Sequence, residues 1–162
     1  MIIHYMQDRD RALPLSPIPR KNWEIDAYPV NEIAEYVQDV SQGDIDVLVE
    51  EYYNKYDMIL DGRDPEEFKK HVAVQAGIEI GFERFLEEKN YQAIVTHFGD
   101  LGSLKQLPGL AIQRLMEKGY GFGGDGDWKT AAMGIEAVYI DGDTTIRNLQ
   151  NELRWNSMYF SK

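Results

Sequence analysis

Five glycines fall within eight positions in Gly119-Tyr120-Gly121-Phe122-Gly123-Gly124-Asp125-Gly126, and Asp127-Trp128-Lys129-Thr130 follow directly. Glycine at this density signals backbone at positive φ or pressed against a neighbour or ligand. Asp125 and Asp127 flank one of these glycines. Their short carboxylates could give hard oxygens to a divalent cation, or cap a helix opening at Trp128. No G-x-G-x-x-G followed by a helical ribose-binding arrangement and no Walker lysine is present, so a nucleotide loop is disfavoured. His97, Gly99 and Asp100 form a second polar group. A three- or four-ligand cage of Asp100, Asp125, Asp127 and His97 would suit a divalent ion, whereas the plainer reading makes His97 a hydrogen-bonded loop residue. His71, next to Lys69 and Lys70, reads as surface, and His4 has no partner in view.

These groups need elements to position them. Ala93-Ile94-Val95-Thr96-His97-Phe98 is short, apolar and β-branched before it breaks at Gly99, which is the pattern of a buried strand opening into a loop. Ligands of open α/β sheets gather at such strand ends. Pro108 to Lys118 reads as a helix with Leu110, Leu115 and Met116 inward and Gly119 as its stop. Upstream, Asn31 is a candidate cap for a helix through Ser41. A second helix runs from Gly43–Asp44 to about Tyr56, with an apolar stripe of Ile45, Leu48, Val49, Tyr52 and Tyr56. Asp64-Pro65 begins a long third helix reaching about Glu88. Gly77 and Gly81 lie within it, each costing about 1 kcal/mol relative to alanine, so close packing on a neighbour is expected. Glu136 to Ile140 reads as a strand and Thr145 to Tyr159 as a closing helix that docks on the core. Leu13 to Pro19 carries three of the six prolines and reads as an extended strap. The aromatic residues, among them Tyr28, Tyr36, Tyr52 and Tyr53, could stack on a ligand face, but core packing accounts for them more simply.

The chain has 162 residues, room for one domain with a full core. With 17 Lys+Arg against 28 Asp+Glu its formal charge is −11, which repels phosphate backbones and anionic lipid and argues against nucleic-acid and membrane partners. A hydrophobic content of 43% is too high for a disordered acidic chain, despite a mean hydropathy of −0.47. The absence of cysteine excludes disulfides, thiolate metal sites and a cysteine nucleophile, and fits a cytoplasmic setting. The N-terminus has no apolar stretch of signal-peptide type.

Phe98-Gly99-Asp100-Leu101, the run Leu104-Lys105-Gln106-Leu107-Pro108-Gly109-Leu110 through Met116, and Gly119 through Ala132 closely resemble the L-arabinose isomerase family. Asp26-Ala27-Tyr28-Pro29-Val30-Asn31 and Gly43-Asp44-Ile45-Asp46 resemble its central part. Gly134 to Asp141 and Asp143 to Asn156 resemble its extreme C-terminal end, joined directly to Met133. The resemblance covers about residues 22 to 160, leaves the first twenty or so unassigned, and implies that the N-terminal domain and most of the C-terminal domain are missing. The expected organisation is an N-terminal extension and Pro-rich linker over 1–21, an isomerase-like central domain over 22–133, and a C-terminal strand and helix over 134–162. The expected fold is α/β, a helix-rich single domain around a small, mainly parallel sheet.

The resemblance implies metal-dependent interconversion of L-arabinose and L-ribulose, with Mn²⁺ as cofactor and a pentose sugar as partner. Two glutamates and two histidines make the family's site, and one carboxylate also serves as base toward the substrate C–H. Transferred to this sequence, the first acidic position is Gly99. The second is Asp125, one methylene shorter than glutamate and so set back by roughly 1.5 Å. Both histidine positions fall in the stretch missing after Met133. The resemblance therefore assigns Asp125 as catalytic residue and metal ligand, with Asp100 as a second ligand. A homo-oligomer is a further expectation. The expected function is that of an L-arabinose isomerase-like protein, reduced in length and impaired in catalysis. The alternative is a non-catalytic core kept for folding, assembly or weak sugar binding.

Overall fold

A computed structural model of the chain describes residues 2–5, 25–97, 99, 101–127, 129–132 and 134. The expected strap over 13–19, the strand over 136–140 and the closing helix over 145–159 lie outside the described residues. The fold is α/β. Four strands, β1 (Ile2–Tyr5), β2 (Ile25–Tyr28), β3 (Ala93–Val95) and β4 (Gly121–Gly123), make one sheet in the order β2-β1-β3-β4. Every pairing is parallel, with Ile3 opposite both Asp26 and Ile94, and Ile94 opposite Phe122. Between β2 and β3 run helices α1 (Val30–Gln38), α2 (Gln42–Lys55) and α3 (Pro65–Glu88), and α4 (Gly109–Glu117) carries the chain from β3 to β4.

The helix boundaries follow local chemistry. Asp64 caps α3 by accepting from the N–H groups of Glu66 and Glu67, with Pro65 at the first position, where its missing N–H costs nothing. Ser41 does not end α1, as the sequence suggests. It caps α2 instead, its hydroxyl accepting from the Asp44 N–H at 3.2 Å. Asn31 does not cap α1 either. Pro29 holds that position, and Asn31 lies inside the first turn with its side chain free to reach a loop far along the chain. Gly119 ends α4 at φ +97°, a conformation that suits glycine.

Period-two alternation in β3 divides the core. Ile94 faces a cluster with Ile33 of α1, Ile78, Phe82, Phe85 and Leu86 of α3, and Ile112 and Leu115 of α4. Ala93 and Val95 face the other side and pack with Ala131, Ala132 and Ile25. A third cluster joins Val49 and Tyr52 of α2 to Val72 and Ala76 of α3, with Ile45, Leu48 and Tyr56 of the expected stripe against it. Tyr28, Tyr36 and Tyr91 all pack around Phe85 with ring centroids 5.1–6.1 Å away, so these aromatics are core material. Gly81 lets α3 approach α1: a Cβ there would lie 2.6 Å from Val37 Cα and 2.7 Å from its nitrogen. Gly77 meets no such limit, as its Cβ would make ordinary contact with Ile45 at 3.5 Å.

Candidate functional site

All strands being parallel, their C-terminal ends share one edge of the sheet, the edge where such sheets hold ligands. Two of the polar groups picked out above arrive there, on the segments after β3 and β4. The glycine-rich segment is not all loop, since Gly121–Gly123 forms β4. Glycine is a poor strand former, but the β3 backbone beside it supplies the ladder: Gly121 N–H donates to Gln92 O at 2.9 Å and Thr96 N–H to Gly123 O at 3.0 Å. Gly126 N–H reaches back to Thr96 O at 3.3 Å, tying the two strand ends together.

The turn after β4 is tight. Asp127 N–H donates to Gly124 O at 2.9 Å, and Asp125 lies between them, exposed and in the left-handed region at φ +52°. Gly123 is required, because any Cβ there would sit 2.0 Å from the Asp127 carbonyl oxygen. Asp127 caps the helical turn opening at Lys129. Its Oδ1 accepts from the N–H groups of Lys129 and Thr130, both at 3.1 Å, and its Oδ2 accepts from Thr130 Oγ1 at 2.7 Å. Hydrogen bonding by Thr130 holds its carboxyl below the ordinary carboxylate range, with burial opposing. The capping reading of this loop therefore describes Asp127.

On the β3 side, Gly99 N–H donates to His97 Nδ1 at 3.1 Å, which makes His97 the hydrogen-bonded loop residue of the plainer reading. Asp100 lies outside the described residues. The loop then anchors on α1: Asn31 Oδ1 accepts from Ser103 N–H at 3.1 Å, and Gln38 Nε2 donates to Ser103 Oγ at 3.2 Å. Gly102, at φ +51°, sits so close that a Cβ would be 2.4 Å from Asn31 Oδ1. His71 is exposed and pairs with Gln106 at 2.8 Å, away from this edge in the sequence and on α3.

A manganese or similar ion needs several oxygen or nitrogen donors converging on one point. Among the described residues no group of three or more His, Asp or Glu side chains gathers in this way. Asp127 is committed to its cap, His97 Nδ1 to the Gly99 amide, and position 99 has no side chain. The described residues thus do not fit the ion, and a cage built on His97, Asp125 and Asp127 is not formed.

A polar cluster that the sequence reading missed lies between α2, α3 and α4. Glu79 is fully buried; its Oε2 accepts from Tyr52 Oη at 2.5 Å and Arg114 Nε at 3.3 Å, and Lys118 Nζ stands 2.9 Å from Oε1 as an ion pair. Arg114 also pairs with Glu51 and, at 3.6 Å, with Glu117, while Lys118 reaches Glu83 at 2.6 Å. Burial and the neighbouring carboxylate both push the Tyr52 phenol up. For Lys118, the bonds to Glu83 and Glu79 outweigh the opposing effect of burial and raise its pKa. The signal is a glutamate inside the otherwise apolar run from Ala76 to Phe82, where a charge calls for a partner on a facing helix.

Residues 19–141 match the family model for the L-arabinose isomerase central domain. The chain belongs to the L-arabinose isomerase family. It is 44% identical over 124 residues to the L-arabinose isomerase of Geobacillus kaustophilus, an overlap covering 76% of this chain and 25% of that protein. It is 46% identical over 121 residues to the enzyme of Serratia proteamaculans, covering 74% and 24%. It is 48% identical over 111 residues to L-arabinose isomerase 1 of Clostridium acetobutylicum, covering 68% and 23%. The match thus spans about a quarter of the length of these family members. Among the described residues no helix is long and apolar enough to cross a membrane.

Proposed function

We propose that this chain is an L-arabinose isomerase-type domain whose strand-end edge forms one wall for a pentose sugar, and that these 162 residues alone do not catalyse aldose–ketose isomerisation. Position 99 carries this reading. Isomerisation moves a hydrogen between C1 and C2 and needs a carboxylate or comparable base within reach of the C–H bond. The family resemblance puts an acidic residue at position 99; here it is glycine, whose N–H is bonded to His97. Asp125 is the one remaining carboxylate among the transferred acidic positions, and it stands exposed on the tip of a turn. A single solvated carboxylate can contact a sugar hydroxyl, and among the described residues no cluster of His, Asp or Glu stands with it to polarise the carbonyl. Mn²⁺ chemistry belongs to the family by resemblance, and the described donors do not fit the ion.

Substrate contact is therefore assigned to the turn 124–127 and the loop after β3, with Asp125 as the polar contact. The zero cysteine count supports a cytoplasmic setting. The test is ketose formation from L-arabinose by the purified chain with Mn²⁺ added. No product above a protein-free control is expected, and turnover at the level of an ordinary sugar isomerase would overturn the reading.

A further inference from the structure

We infer that the described polar groups at this strand-end edge act as locks for its loops and do not together make a divalent-cation site. The inference rests on reading this edge as the family's sugar-binding edge and extends it to how the edge holds its shape. Asp127, His97, Asn31 and Gln38 each bond a loop or a helix start at this edge. Asp127 spends both carboxylate oxygens on three donors from Lys129 and Thr130. These donors fill three of the carboxylate's four acceptor sites and leave a single lone pair on Oδ2, so Asp127 could offer an ion one oxygen at most without uncapping the helical turn. Its carbonyl oxygen lies 2.0 Å from where a Cβ at position 123 would stand, so the turn closes on Gly123 only because that residue has no side chain.

The β3 side is locked in the same way. His97 Nδ1 receives the Gly99 amide, and the imidazole lies over position 99, with Cε1 2.8 Å from where a Cβ would stand. The ring thus fills the room a side chain at 99 would take. Farther along, Asn31 and Gln38 of α1 hold Ser103, and Gly102 fits against Asn31 only because it has no side chain. Gly126 N–H on Thr96 O closes the two segments on each other. Among the described residues of this edge Asp125 is left as one exposed carboxylate, too few donors for an ion that takes six or more oxygens.

The experiment uses the full chain and Mn²⁺ alone. Mn²⁺ is titrated to equimolar concentration while the electron paramagnetic resonance signal of the free ion is followed. In parallel, the thermal midpoint is measured with and without the ion, since binding to the folded state would raise it. The same measurements are made on Asp125→Asn, Asp100→Asn and Asp127→Asn, the last retaining a capping side chain so that the domain stays folded. An undiminished free-ion signal and an unchanged midpoint are expected. Capture that survives all three substitutions places the ion elsewhere on this acidic chain and upholds the inference. Capture abolished by any one of them overturns it. Ketose formation without Mn²⁺ capture would sink the proposed function and leave this inference standing; Mn²⁺ capture lost with Asp125 but without ketose formation would do the reverse.

Discussion

Replacing Gly81 and Gly77 separately by alanine should shift stability in opposite directions, although both are glycines on one helix four residues apart. In either case alanine gains about 1 kcal/mol of intrinsic helix preference over glycine. At Gly77 the new methyl would lie 3.5 Å from Ile45 Cδ1, an ordinary contact, so most of that gain is retained. At Gly81 it would lie 2.6–2.7 Å from the Val37 Cα, Cγ2 and nitrogen. Two of these are backbone atoms of α1, which cannot rotate aside, so α1 must move away from α3 by several tenths of an ångström. Overpacking of a core costs about 1–3 kcal/mol, and a backbone obstacle belongs in the upper half of that range. Subtracting the helix gain leaves a net loss of about 1–2 kcal/mol, or roughly 2–8 °C in melting temperature for a domain of this size. Gly77→Ala should instead raise the midpoint by about 2–4 °C. Urea unfolding at an unchanged m-value would separate the two. A Gly81→Ala chain as stable as the parent, or both variants moving in one direction, would refute the helix–helix contact at Val37.

Glu79→Ala leaves Arg114 and Lys118 facing a vacated buried position and should cost about 3–5 kcal/mol in chemical denaturation; Arg114 is the better buried of the two. Asp127→Ala should lose about 1 kcal/mol of capping at pH 7, and Asp127→Asn much less. Its folded carboxyl titrates below its unfolded value, so its stabilisation is present above the ordinary carboxylate range and is lost as pH falls through the folded pKa. Parent and Asp127→Asn should therefore converge in stability in strong acid, and a gap that widens there would contradict the assigned bonds. Asn31→Ala should speed hydrogen exchange at the Ser103 amide and cost about 0.5–1.5 kcal/mol, while an unchanged Ser103 rate would show that Asn31 does not hold the loop. Gly99→Glu combined with Asp125→Glu should capture Mn²⁺ where the parent does not, with a shift in the His97 ring resonances as the imidazole is displaced. Capture without any ring shift would contradict the placement of His97 over position 99.

The helices could be read from the sequence because their signals are local. Asp64-Pro65 starts α3, Gly119 ends α4, and the stripe from Ile45 to Tyr56 needs only a 3.6-residue period to face α3. The α/β class and the strand at Ala93–Val95, two residues short of His97, follow from the same kind of information, and the long motifs around Gly109 and Gly126 carried the family. The identity of position 99 was enough to place the chemistry in doubt before any geometry was known.

Other features depend on which distant segments meet, and local patterns carry little of that. Gly121–Gly123 is a strand because β3 lies beside it, against the preference of glycine. Asn31 looks like a cap from its neighbours, but its partner is Ser103, 72 positions away. Gly77 and Gly81 read alike in the sequence, and only the crossing of α1 over α3 makes one indispensable and the other replaceable. Glu79 reads as one of many charges on α3 until Tyr52 of α2 and Arg114 and Lys118 at the C-terminal end of α4 converge on it. Asp125 and Asp127 are the same residue type two positions apart. Backbone geometry separates them: the turn leaves the first exposed at positive φ and gives the second three donors to accept from.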